Sequence, residues 1–101
     1  MDPELAETVA AAVLAHPGVA RLSGGPFGTV ASYLPGRRVV GVRLPPDPAD
    51  PVEIVVVAHL GVGLPHLAQE LGAAVAGVLG PVTVDVTVAD VETGAPHPAR
   101  P

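Results

Sequence analysis

The chain has 101 residues and a net charge of −5, with 49% apolar residues, only 2% aromatic residues and no cysteine. That length supports one domain with one core, built from Val, Leu and Ala, whose side chains bury less area each than aromatics do. The absence of cysteine excludes disulfides, thiol catalysis and thiolate zinc sites, and the acidic balance argues against general nucleic-acid binding, which needs a cationic surface.

All five basic residues are Arg. With abundant Ala, Gly and Pro, this has the look of a high-GC bacterial coding sequence. No stretch reaches the roughly 20 consecutive apolar residues that span a bilayer. Asp2, Glu4 and Glu7 stand where a signal peptide carries basic residues. A soluble, cytoplasmic protein is expected, with any membrane association passing through a partner.

Asp2-Pro3-Glu4 predicts a helix start: Asp2 caps, Pro3 suits the first position, and Glu4 and Glu7 complement the positive helix end. Leu5, Val9, Ala12, Val13 and His16 share one face, so the first helix is expected to run to about His16 and to stop at Pro17-Gly18. Val19–Ser23 reads as a short strand, followed by a flexible turn, Gly24-Gly25-Pro26-Phe27-Gly28. Thr29–Leu34 fits either a strand or a helical turn, and Pro35-Gly36 punctuates the chain again.

Val39–Leu44 predicts a strand with Val40, Val42 and Leu44 on one side. Pro45 to Pro51 carries four prolines and reads as a stiff connection. Val52–Leu60 is a strand. Gly61-Val62-Gly63-Leu64-Pro65 breaks it, and a second helix begins at Pro65 with Leu67, Leu71, Ala74, Val75 and Val78 on one stripe. Gly80-Pro81 ends that helix. Strict alternation over Val82–Val88 predicts a closing strand, and a crossover between parallel strands is expected to be right-handed. The expected fold is α+β: a two-layer sandwich in the order α-β-β-(β)-α-β, with a mixed sheet and two helices on one face. Residues 1–92 form the single domain and residues 93–101 a flexible, proline-rich tail.

Few residues suggest chemistry. Gly25-Pro26-Phe27-Gly28 is a GxxG, a pattern whose backbone amides can clamp phosphate. Pro26 removes one amide, however, and no Lys-Ser or Lys-Thr follows, so a simple turn is the plainer reading. Arg37, Arg38 and Arg43 form a candidate anion contact, set against the plainer reading of a solvated strand end. The histidines are His16, His59, His66 and His97, and no two are spaced as a helical metal pair. His59 and His66 flank the Gly61–Gly63 turn and are the pair best placed to approach each other. Ser23 and Ser32 lack a nucleophile-elbow pattern. No catalytic, metal or cofactor site is expected. Val55, Val57, His59, Thr83 and Thr87 fall on the sheet face opposite the helices. Two valines among them make a strip expected to stay wet in a lone domain and so to meet a second copy or a partner.

Four runs in this order resemble a known family: AETVAAAVLAHPGV from Ala6, YLPGRRVVGVRL from Tyr33, VEIVVVAHLGVGLPHLAQELGAAV from Val52 and VTVDVTVADV from Val82. Over roughly residues 5–91 the chain is similar to the alkaline-shock or general-stress proteins, the envelope-stress-response family, especially its actinobacterial branch. The resemblance implies a small non-enzymatic scaffold protein of cell-envelope homeostasis. It implies self-association, a membrane-anchored protein partner, a cytoplasmic and membrane-proximal location, and no catalytic residues. The alternative from a different class is a phosphate- or RNA-binding module using Gly25–Gly28 with Arg37, Arg38 and Arg43.

Overall fold

The computed structural model describes residues 2–93, so the tail beyond Thr93, with His97, lies outside the described residues. The elements are α1 (Leu5–Leu14), β1 (Val19–Leu22), β2 (Ala31–Leu34), β3 (Arg37–Val40), β4 (Val42–Arg43), β5 (Val52–His59), α2 (Leu64–Leu79) and β6 (Val84–Glu92). The fold is α+β, with two helices packed against each other and against one face of a mixed sheet.

β5 is the central strand. One edge pairs antiparallel with β1 and, further along, with β4. The other edge pairs in parallel with β6, so the two helix-linked strands run side by side. The β2–β3 hairpin is a separate two-stranded sheet inserted between β1 and β4.

The core follows from alternation along β5. Val52, Ile54, Val56 and Ala58 face the helices and are fully buried. They meet Val9 and Val13 of α1 and Leu67, Leu71 and Val75 of α2, while Val84, Val86 and Val88 pack half-buried at the margin. Burial at 3.6-residue spacing on the helices and 2-residue spacing on the strands closes a single apolar interior. Of the stripe expected on the second helix, Leu67, Leu71 and Val75 are buried, and Ala74 and Val78 lie at its half-buried flank.

Several boundaries differ from the sequence reading. The first helix stops at Leu14, not His16, and His16 is free to hydrogen-bond in the turn that follows. Asp2 does not cap the helix directly. Its carboxylate accepts the Glu4 N–H at 3.0 Å, and a tight turn with i→i+3 bonds leads into α1. Thr29–Leu34 resolves to a strand over Ala31–Leu34.

The single strand expected over Val39–Leu44 is two strands in two sheets, broken at Gly41. Gly41 has φ 86°, donates its N–H to the Val30 carbonyl (2.8 Å) and accepts the Val55 N–H (2.9 Å). The hairpin therefore hinges on a residue that hydrogen-bonds to both halves. The closing strand begins at Val84 rather than Val82 and runs on to Glu92. A register shift opposite Val56/Val57 pairs Val57 with Asp90, leaving Ala89 as the extra residue.

Candidate functional site

The second face of the sheet carries the odd residues of β5. Val55 and Val57 are 5% and 2% exposed, so the expected wet valine strip is not an open surface. The chain itself covers it. After β1 the backbone is held to β5 by the Ser23 N–H on the Val55 carbonyl (2.9 Å), and Val30 N–H closes on the Gly24 carbonyl (3.0 Å). The intervening loop crosses the sheet. Gly25 and Pro26 share one cleft with Val55 and Thr87, and a second with Val57 and Thr87.

Two ion pairs flank the loop. Arg21 of β1 reaches across β5 to Glu92 of β6, and Arg43 of β4 pairs with Glu53 of β5. The aliphatic stems of such arginines shield apolar surface while their heads stay wet. This cover has no signature in the sequence, because a glycine-rich turn carries no periodicity to show which way it folds. Of the proposed contact face, Thr83 and Thr87 stay exposed and His59 is half-buried.

The GxxG forms a turn. Gly25 (φ 82°) and Gly28 (φ 67°) sit in left-handed geometry that suits glycine. The Gly28 N–H donates to the Gly25 carbonyl (3.1 Å), and the Gly25 N–H donates to Ser23 Oγ (3.1 Å). Pro26 has no N–H to give, which leaves the Phe27 amide alone. The turn lifts Phe27 into solvent, where it is 86% exposed.

Two of the three candidate arginines are held by carboxylates on different elements. Arg37 donates to Glu7 of α1 through Nε (2.6 Å) and Nη2 (3.0 Å), a forked pair tying the hairpin to the first helix. The pair holds the Glu7 carboxyl below its ordinary value through the Arg37 hydrogen bonds, and raises the Arg37 guanidinium correspondingly. Arg43 is occupied by Glu53, and Arg38, opposite Tyr33 in the hairpin, has no ion pair among the described residues.

The histidines brought together are His16 and His66, not His59 and His66. Glu70 lies between them, with Oε1 2.6 Å from His16 Nε2 and Oε2 2.9 Å from His66 Nε2. His16 Nδ1 accepts the Gly18 N–H (2.9 Å), so the neutral ring carries its proton on Nε2 and donates it to Glu70. The His16 hydrogen bond, supported by His66, lowers the Glu70 carboxyl below its ordinary value. With both His16 nitrogens engaged, the arrangement is a clasp between the α1–β1 turn and α2. Among the described residues no group of three or more His, Cys, Asp or Glu is arranged to hold a metal ion. The His66-to-Glu70 spacing of four was the sequence signal for half of this clasp; the long-range partner, His16, had none.

Pro45 is buried, and with Pro46, Leu44, Tyr33 and Pro3 it lines a shallow apolar cleft beside the hairpin. Tyr33 is 67% exposed at its rim. No helix among the described residues is long and apolar enough to cross a membrane. Comparisons of the chain with protein-family profiles, with characterised proteins and with solved structures gave no match.

Proposed function

We propose that this chain is a non-enzymatic scaffold domain of cell-envelope stress homeostasis, acting through protein partners close to the membrane. The observation that carries the reading is the placement of its aromatic residues. The chain has one Phe and one Tyr, and both project into solvent while aliphatic residues alone fill the core. Leu60, beside the turn after β5, is 65% exposed as well. Aromatic side chains contribute most to contact surfaces because they bury large areas at low entropic cost. The sequence resemblance supplies the envelope context, and the surface supplies the means of contact.

The anion-binding alternative is the weaker reading. The Gly25 and Gly28 amides of its loop are spent internally, Pro26 has none, and two of its three arginines face carboxylates.

The test is photo-cross-linking in the cell of origin, with a benzophenone amino acid at Phe27 or Tyr33. Adducts with a protein of the membrane fraction, at either position, are expected. Cells grown under ordinary and under alkaline conditions that give no protein adduct at either position would overturn the reading.

A further inference from the structure

β6 is an edge strand whose outer side is unpaired among the described residues. Its direction of hydrogen bonding is fixed. The Val52 N–H donates to the Thr83 carbonyl (2.8 Å), so Thr83, Asp85 and Thr87 turn their backbone groups toward β5. Alternation then points the N–H and C=O groups of Val84, Val86 and Val88 outward. Edges of this kind are blunted by Lys, Pro, other charges or bulges. β6 has no Lys or Pro over its nine residues; its bulge lies at Ala89, and the run Val84–Val88 before it is regular.

The cleft beside the loop reaches this edge. Gly25, Pro26 and Val30 wall it on one side, Val55 floors it, and Val84 through Thr87 complete it, in an open volume of about 490 Å³. The Val84 and Val86 side chains pack on the opposite, helix-facing side, so these residues meet the cleft with their backbone. Three charged side chains line it: Arg43, Glu53 and Asp85. Arg43 Nε stands 3.0 Å from Glu53 Oε1, so these two charges offset each other. The local balance is one carboxylate in excess, and Asp85 is the one with no ion pair among the described residues. Along β6, Asp85, Asp90 and Glu92 add acidity with no basic residue on the strand.

We propose that the β6 edge binds an extended, basic segment of a partner protein by strand addition. The partner's backbone pairs with Val84, Val86 and Val88. A lysine or arginine side chain enters the cleft beside Asp85, and alternate apolar side chains extend the valine row on the helix side. This rests on the scaffold reading and names its contact surface. A second copy is the poorer occupant, because it would set one acidic edge against another.

The probe is a capped heptapeptide alternating valine and lysine, with the glutamate-for-lysine peptide as control, titrated at low salt and at physiological salt. The lysine peptide is expected to perturb the amide resonances of Val84, Val86 and Val88 and to bind at least roughly tenfold more tightly than the control. Val86→Pro removes an outward N–H and leaves the β5 ladder intact. It is expected to weaken binding by about tenfold with the fold retained. Asp85→Asn, at an exposed position, is expected to narrow the lysine preference. Equal binding of both peptides, perturbation confined to other surfaces, or no binding by a folded wild type would each overturn the proposal. So would a wild-type dimer that Val86→Pro dissociates, since the occupant would then be a second copy. None of these failures removes the scaffold reading, which stands or falls on the adducts at Phe27 and Tyr33.

Discussion

Gly41 is the residue on which the sheet arrangement turns. A Cβ there would sit 2.8 Å from Leu22 Cβ and 2.9 Å from the Val55 carbonyl oxygen, in a backbone with φ 86°. Gly36 has a similar φ of 75° but open space around it. Gly41→Ala is therefore expected to cost roughly 3 kcal/mol, combining strain with collision, and Gly36→Ala only about 1–2 kcal/mol. Chemical denaturation of the two variants separates them, and equal losses would mean that the close approach at Gly41 is relieved by movement. Glu70 gives a second test. Its folded value is lowered, so its contribution to stability is complete above the ordinary carboxylate range and is lost as pH falls through the folded value. Wild type is expected to lose stability on acidification through that window, and Glu70→Gln is expected to lose less. Parallel pH profiles in thermal melts would detach the clasp from stability.

At the scale of elements, α2 holds the two parallel strands together. Leu71 is fully buried between that helix and the sheet, and Leu71→Ala is expected to cost roughly 2–5 kcal/mol by urea denaturation. A loss below about half a kcal/mol would place the stripe at the surface. Val57 makes the contrasting case. With the side chain 2% exposed under the loop, Val57→Lys is expected to destabilise the domain itself by roughly 3 kcal/mol rather than act on a contact surface. A variant with wild-type melting would mean the loop lifts readily from the sheet. The helices and the long strands were legible because each carries a sustained period. The hairpin was not, because Val40, Val42 and Leu44 keep a two-residue period straight through Gly41 and only the Gly41 backbone splits the run.

For the whole molecule, charge sets the outward behaviour. With a net charge of −5 and Arg21, Arg37 and Arg43 each facing a carboxylate, no basic field gathers on one side of the described residues. No sub-micromolar RNA binding is expected at physiological salt, measured by filter retention or fluorescence anisotropy. Binding at that strength that weakens in Arg38→Ala would revive the anion reading.

Local periodicity, and the places where Gly and Pro interrupt it, were enough to give the two-layer architecture, the stripe of the second helix and the helix-facing row Val52, Ile54, Val56 and Ala58 of β5, but not the burial of Ala6 and Ala10 on the first helix or of Val55 and Val57 on the second sheet face. Only the tertiary structure decided that a glycine loop roofs the second sheet face, that Glu70 joins His16 to His66, and that the one Phe and one Tyr point outward. Those outcomes depend on contacts between residues far apart in the chain, such as the 54 positions separating His16 from Glu70, and no local pattern encodes the partner at such a distance.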